Sequence, residues 1–235
     1  MLLVPGTAHA HAAPTFDPWV IASLLPLLLL RARARWPFAG ALLALFLALF
    51  WPLAPLADES FASHMAQHML LIGVAAPLLA ASRPVLPSMK GRAALARPIL
   101  LLAQPAGAFF LHGAAIWLGH APALLEWSLE AQWMHALQHL ALVATAALFW
   151  WSLLARGRRG AGESALWTLA TLIHTGLLGA LLTFAPRPLY PSYGFEDQQL
   201  AGLVMWIPGG LCYLAAGLSF ASAWLAERGR PMEWR

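Results

Sequence analysis

The chain has 235 residues, of which 60% are hydrophobic and only 10% are charged. A soluble fold of this size could not bury so much apolar surface, so the composition excludes a soluble enzyme, a nucleic-acid-binding protein and a disordered protein. The formal charge of +4 therefore indicates basic loops at a membrane surface. The single cysteine, Cys212, excludes an internal disulfide and a cysteine-cluster metal site.

Seven segments are apolar enough to cross a membrane, since a transmembrane helix needs about 20 mostly apolar residues. Their approximate bounds are 17–33, 38–56, 64–82, 97–119, 132–155, 164–186 and 200–224, and the first is the weakest. We therefore predict an all-α integral membrane protein, a seven-transmembrane-helix bundle over residues 17–225. Residues 1–16 are interpreted as an external tail or a signal-peptide remnant, and residues 226–235 as a cytoplasmic tail.

The basic residues predict the orientation of the bundle. Thirteen of the 14 Lys and Arg side chains follow spans one, three, five and seven, and only Arg187 falls on the other side. Most acidic residues share the side of Arg187. By the positive-inside rule, we expect the N-terminus outside and the C-terminus in the cytoplasm. An odd number of spans is consistent with this, because it places the two termini on opposite sides of the membrane.

Two pairs of histidines begin spans three and five, and ionisable residues within spans are rare and usually functional. His64 and His68 form the first pair, and His135 and His139 form the second. Residues four apart share one helix face, and both spans run inward, so the pairs are expected at a similar depth near the outer surface. Neutral imidazole is a common metal ligand, and two such pairs predict a metal or haem site there.

Three more histidines lie in spans that run outward. His112 is expected about two turns below the outer end of span four and is predicted as a further metal ligand. His120 at the outer surface and His174 near mid-membrane are interpreted as hydrogen-bond partners of the ligands or as part of the route by which metal reaches them. Each of these two could equally be a core histidine that hydrogen-bonds within the bundle.

The residue types near the paired histidines favour copper. Met69 and other methionines accompany them, and thioether with imidazole ligation favours Cu(I), although methionine also packs well in apolar cores. A hydrolytic zinc site is disfavoured because the chain has no HExxH motif. Haem remains the alternative, with His68 and His139 as axial ligands from facing helices.

A polar cluster over residues 196–199 precedes span seven. Asp197 is placed to cap that helix and to interact favourably with its N-terminal dipole. The functional interpretation is that Asp197 and Gln198 fold over the histidines, where they support the ligands or line the access route of the metal.

Several stretches resemble the CtaG-like cytochrome c oxidase assembly factors, a polytopic family linked to caa-type oxidases. The resemblance covers about residues 17–225. The stretches are DPWV (17–20), HMAQHMLLIGVAAPLL (64–79), WLGHAPALLEWSL (117–129), HALQHLALVATAALFWWSLL (135–154), LLTFAPRPLYPSYG (181–194) and DQQLAGLVMWIPGG (197–210), of which the last two are the most specific.

This resemblance implies a non-enzymatic, multi-pass protein of the bacterial inner membrane that helps to mature a haem-copper oxidase. It implies copper binding and delivery to the copper B site, with the oxidase large subunit and a soluble external copper chaperone as partners, beside membrane lipid and without nucleic acid. The four paired histidines match the family's histidine pairs, and His112, His120, Asp197 and Gln198 fall in its recurrent motifs.

Three alternatives to this function stay open at the level of the sequence. The first is a haem-binding membrane redox or haem-handling protein with bis-histidine ligation. The second, a transporter, is disfavoured because the inner half of the predicted bundle has almost no polar residues. The third is a purely structural chaperone that binds no metal.

Overall fold

The structure is a computed structural model that describes residues 18–28, 32–83 and 101–229. Within these ranges the chain is helical and contains no β-strand. Among the described residues, five helices are long and apolar enough to cross a membrane, or six when a bent pair is counted as one span. The protein is therefore an all-α, multi-pass membrane protein.

The described helices are numbered here in chain order. They are α1 (Pro18–Leu28), α2 (Arg35–Leu49), α3 (Leu53–Glu59), α4 (Phe61–Leu70), α5 (Ala76–Ala81), α6 (Pro105–Gly119), α7 (Pro122–Glu130), α8 (Gln132–Leu154), α9 (Ala161–Thr183) and α10 (Phe195–Arg228). A π-helical turn over Leu71–Ala75 joins α4 to α5 into one span.

The helices differ from the predicted spans at several ends. Helix α2 ends at Leu49, ahead of Pro52, which has no N–H to continue the helical ladder. Helix α6 is followed by α7 at an angle of 71°. Helix α10 continues to Arg228, into the predicted tail. The tail 1–16, the end of span one, the start of span four and residues 230–235 lie outside the described residues.

Pro77 leaves a carbonyl of the π-helical turn between α4 and α5 without a backbone donor. Pro77 has no N–H, so the carbonyl of Ile72, five residues earlier, cannot receive a π-type hydrogen bond from it. The indole Nε1–H of Trp150 on α8 donates to this carbonyl at 3.0 Å instead. The turn thereby ties the span α4–α5 to α8.

Small residues allow α9 and α10 to pack closely. A Cβ atom on Gly179 would come within 2.9 Å of the Gly202 carbonyl oxygen, and one on Gly202 would come within 2.6 Å of the Gly179 carbonyl oxygen. Both contacts are with backbone, which cannot move aside, so neither position has room for a larger residue. Helix α10 also packs along α4.

The two ends of the bundle differ in chemistry. At one end, the Ala34 N–H, just before α2, donates to the Ser82 carbonyl after α5, and Arg156 pairs with Glu163 at 2.9 Å. The opposite end gathers the N-termini of α4, α8 and α10 and the C-terminus of α6. Five of the histidines lie at this second end.

Candidate metal site

Three buried histidines converge between α4 and α8. His68 Nε2 lies 3.1 Å from His64 Nε2 and 3.2 Å from His139 Nε2. One ring nitrogen of each residue lies within 4.8 Å of the other two. A metal ion with bonds of about 2.0–2.1 Å to imidazole holds its nitrogens about 3.3–3.6 Å apart, so the observed spacing is close to that of a shared ion. The three residues form the histidine trio.

Hydrogen bonding alone does not satisfy the trio. The buried Nδ1 atoms of His68 and His139 have no hydrogen-bond partner in the described part of the chain. A neutral imidazole has one N–H and one lone pair, so a proton on Nε2 leaves the Nδ1 lone pair without a donor. Burial also disfavours a charged imidazolium at these positions. With their protons on Nδ1, the three imidazoles present Nε2 lone pairs close to one another, which is a suitable donor set for a cation.

His135, the fourth paired histidine, lies at the edge of the trio. Its ring centroid is 4.2 Å from that of His139 and 5.3 Å from that of His64. His135 is half-buried, whereas His64 is only 1% exposed. The structure thus brings all four paired histidines together, three inside and one at the rim.

His120 approaches the trio from the C-terminus of α6. Its Nδ1 lies 2.7 Å from the Ile116 carbonyl oxygen, which is an acceptor, so Nδ1 carries the proton. The Nε2 lone pair then faces Met65 Sδ at 3.2 Å. The rings of His120 and His68 have centroids 5.9 Å apart. His120 and Met65 thus place a second pair of lone-pair atoms next to the trio.

The glutamine before the second histidine of each pair anchors its helix. Gln67 Nε2 donates to the Ala48 carbonyl at 2.8 Å, and Gln138 Nε2 donates to the Gly119 carbonyl at 2.9 Å. Both carbonyls lie in the last turn of a helix, where the helical ladder leaves acceptors open. For Ala48 the residue four positions on is Pro52, which has no N–H.

Asp197 caps α4 rather than its own helix. Its carboxylate accepts hydrogen bonds from the N–H groups of Phe61 at 2.5 Å and Ala62 at 3.1 Å, and from the Ser60 hydroxyl at 2.9 Å. A carboxylate at a helix N-terminus also interacts favourably with the helix dipole. The residue predicted to cap span seven thus holds the first turn of the helix that carries His64, while Gly194 precedes α10.

Gln198 and two tyrosines hold the loop that covers this end. Gln198 Oε1 accepts from the Leu189 N–H at 2.6 Å. The Tyr190 hydroxyl donates to the His120 carbonyl at 2.8 Å, and the Tyr193 ring stacks on Phe61 with centroids 4.6 Å apart. Burial raises the pKa of both tyrosines, and Glu126 beside Tyr190 and Asp197 beside Tyr193 raise it further. Both phenols therefore remain protonated at neutral pH.

His112, predicted as a ligand, lies in a separate hydrogen-bonded group. The Thr145 hydroxyl donates to the Ala141 carbonyl at 2.7 Å, so Thr145 accepts from His112 Nδ1–H at 3.1 Å. The Tyr213 hydroxyl then donates to His112 Nε2 at 3.3 Å. Both ring nitrogens are thus engaged, and metal binding at His112 would require Tyr213 to move away.

Met69 and His174, two other predicted residues of the site, have different neighbours. The sulfur of Met69 packs against Gly209 on α10, where an added Cβ would lie 2.5 Å from it. His174 Nδ1 accepts from Trp117 Nε1–H at 3.3 Å, and its ring lies 5.3 Å from that of Phe109. The structure brings neither of them to the trio.

Sequence reasoning was incomplete at this end of the bundle. Met65 and Met69 are both among the methionines beside the histidines, and Met69 is the one predicted as a ligand, whereas Met65 is the one whose sulfur faces an imidazole nitrogen. Sequence reasoning also missed Ser60, whose hydroxyl caps α4 together with Asp197. A serine directly before a helical segment is an N-cap signal, so Ser60 was readable from the sequence.

A multi-pass helical bundle with a buried histidine trio near one end defines a membrane protein with a candidate transition-metal site. A comparison with protein families matches residues 26–227 to the cytochrome c oxidase caa3 assembly factor family, Caa3_CtaG. The chain belongs to this family, which confirms the resemblance. The family assembles cytochrome c oxidase, so the oxidase is the implied partner. The curated proteins and the solved structures give no significant match.

Proposed function

We propose that this assembly factor carries copper as its cargo in the histidine trio and delivers it to the copper B site of the oxidase large subunit. The observation that supports this proposal is the convergence of three buried Nε2 atoms at 3.1 and 3.2 Å. Imidazole suits copper, and a buried site made of neutral ligands favours the monovalent ion, because less charge is desolvated.

The same spacing favours a single ion over the haem alternative. Two axial histidine nitrogens on opposite faces of a haem lie about 4 Å apart, since each bond to the metal is about 2 Å. His68 and His139 meet at 3.2 Å, and their rings are in direct contact with centroids 5.1 Å apart. A macrocycle between them would force α4 and α8 apart.

His135 is the residue through which the ion enters and leaves. It is half-buried at the rim and touches two members of the trio, so an ion could pass between imidazoles by ligand exchange. In such transfer one metal–nitrogen bond forms as another breaks and no covalent bond of a substrate changes, so the protein acts as a non-enzymatic carrier. A soluble external copper chaperone would supply the ion, since the site lies at the end of the bundle with few basic residues.

The topology we propose has seven spans in the bacterial inner membrane, with the N-terminus outside and the C-terminus in the cytoplasm. Alternation of the basic residues supports this orientation. It would place the histidine trio toward the outer face. The domain limits of 17–225 for the bundle and 226–235 for the tail belong to the same proposal.

Metal analysis of purified protein tests the copper proposal. Protein prepared anaerobically with Cu(I) should hold copper, and a His68→Ala/His139→Ala double variant should lose most of the copper bound at the trio, because two of three ligands are absent. Cells that carry the variant should lose oxidase activity. A Soret band in the purified protein would instead indicate haem.

A matched control separates the site from the fold. His174 lies on α9 outside the trio, so His174→Ala should leave both copper content and oxidase activity close to those of the wild type. Unchanged copper and unchanged oxidase activity in the double variant would contradict the proposal.

A further inference from the structure

We propose that Met65 and His120 form a second, softer metal seat beside the histidine trio, selective for a monovalent d10 cation such as Cu(I) or Ag(I). Met65 Sδ and His120 Nε2 lie 3.2 Å apart. This proposal rests on the proposed function and adds a second binding site with different ligands. Its test follows the Met65 signal rather than the copper held by the trio.

The position of the proton on His120 shows that Met65 Sδ and His120 Nε2 can both donate a lone pair to a cation. His120 Nδ1 donates to the Ile116 carbonyl at 2.7 Å, which leaves a lone pair on Nε2. The thioether sulfur of Met65 has lone pairs and no hydrogen. Two lone-pair atoms thus face each other with no proton between them, and a cation is the partner that both can bind.

The burial of Met65 and His120 and the distance between their donor atoms are suitable for binding a metal ion. Met65 is fully buried and His120 is 5% exposed. At a tetrahedral angle, an ion with bonds of about 2.0 Å to nitrogen and about 2.3 Å to sulfur would hold the two atoms about 3.5 Å apart, so only a small adjustment from 3.2 Å is needed. The Tyr190 hydroxyl holds the His120 carbonyl at 2.8 Å and fixes the end of α6.

The donor types decide which ion the seat accepts. Thioether sulfur is a soft ligand that selects Cu(I) and gives little affinity for hard divalent ions. The trio is made of imidazole alone, a ligand type that suits Zn²⁺ as well as copper, so its ligands discriminate less between the two ions. Because the rings of His68 and His120 have centroids 5.9 Å apart, an ion could pass between the two seats inside the bundle.

Methionine-methyl NMR tests the second seat directly. Protein with ¹³C-methyl methionine is titrated in detergent with Ag(I), a redox-stable stand-in for Cu(I), and the Met65 signal is assigned by its absence in Met65→Leu. We expect the Met65 methyl signal to shift with Ag(I) and to stay in place with Zn²⁺. Met65→Leu should bind one Ag(I) fewer per chain than the wild type, whereas Met69→Leu should bind the same number.

The outcomes separate this proposal from the copper carrier. A His64→Ala/His68→Ala/His139→Ala variant should lose the trio and keep the Ag(I) response of Met65. If the Met65 methyl signal of the wild type shifts with Ag(I) but the trio holds no copper, the second seat would be supported and the proposed copper-carrier function contradicted. A Met65 signal that stays in place with Ag(I), shifts equally with Zn²⁺, or responds only when the trio is intact would overturn the second seat. Leucine is close to methionine in volume, so Met65→Leu should fold.

Discussion

Two regions of the bundle share one framework and differ in the side chains placed on it. The first unit consists of α2, α3 and α4, and the second of α6, α7 and α8; each is a long helix, a short helix and a histidine helix. The residues His64, Gln67 and His68 have counterparts 71 positions later in His135, Gln138 and His139. In each unit the glutamine binds a carbonyl 19 residues earlier.

The equivalent histidines meet across the interface of the units. The rings of His64 and His135 have centroids 5.3 Å apart, and those of His68 and His139 have centroids 5.1 Å apart. Each histidine thus touches its own counterpart, as expected for two parallel repeats related by an axis along the bundle. The histidine trio lies where this approximate axis passes between α4 and α8.

The differences between the units lie around the histidines. Asp197 and Ser60 cap α4, whereas Ala131, the counterpart of Ser60, gives α8 no side-chain cap. Met65 corresponds to Ala136. The framework is therefore shared. The capping side chains and the sulfur belong to the first unit, and the half-buried histidine, His135, belongs to the second. The site is therefore asymmetric, with a buried side on the capped helix α4 and a more accessible side at His135 on α8.

The largest expected effect compares the first histidine of each unit. His64→Ala should weaken Cu(I) binding by at least about 100-fold, since even an outer partner of a metal ligand contributes about 10–100-fold. His135→Ala should weaken it by less than about tenfold and slow copper uptake, because His135 lies at the rim. Competition with a Cu(I) chelator measures both. Equal losses at the two positions would show that the units are symmetric in function.

The second prediction addresses the cap that only α4 has. Asp197→Asn should lower the free energy of unfolding by about 2–3 kcal/mol, because the amide nitrogen that replaces one carboxylate oxygen cannot accept from the Phe61 N–H. One hydrogen bond to a charged acceptor contributes about 1.5–3 kcal/mol, and the hydrogen bonds from Ser60 and Ala62 can remain on the other oxygen. Denaturant titration in detergent measures this change. Glu196→Gln, at the exposed neighbouring position, is the matched control and should change stability by less than about 0.5 kcal/mol. Similar losses in the two variants would argue against a capping role for Asp197.

The multi-pass helical fold and the meeting of the histidine pairs could be predicted from the sequence because they depend on local patterns. Apolar runs identify the helices, and the i, i+4 spacing puts each histidine pair on one face. Because the two helices run in the same direction, their N-terminal histidine pairs meet at the same end of the bundle. The convergence of His64, His68 and His139 needed no knowledge of the tertiary structure beyond this.

The remaining contacts depend on how the helices are rotated and paired. Met65 and Met69 are both on α4, and the close approach of Gly209 to the Met69 sulfur accompanies a rotation in which Met65 faces His120. Asp197 precedes α10 closely enough to predict a local cap, yet the N–H groups that it binds belong to a helix 136 positions away. Local sequence patterns cannot predict a hydrogen bond between residues so far apart in the chain.

The smallest expected effect tests the part of the framework that the units share. Gln67→Leu and Gln138→Leu should each lower the free energy of unfolding by about 1 kcal/mol, since each leaves one helix-end carbonyl without a donor. The loss is limited because the Oε1 atoms of both glutamines are buried without a hydrogen-bond partner among the described residues, and leucine removes them. Gln104→Leu, at an exposed position, is the control and should change stability by less than about 0.5 kcal/mol. Losses at Gln67 and Gln138 that differ by more than about 2 kcal/mol would mean that the two anchors are not equivalent, because one hydrogen bond of each kind contributes about 1 kcal/mol.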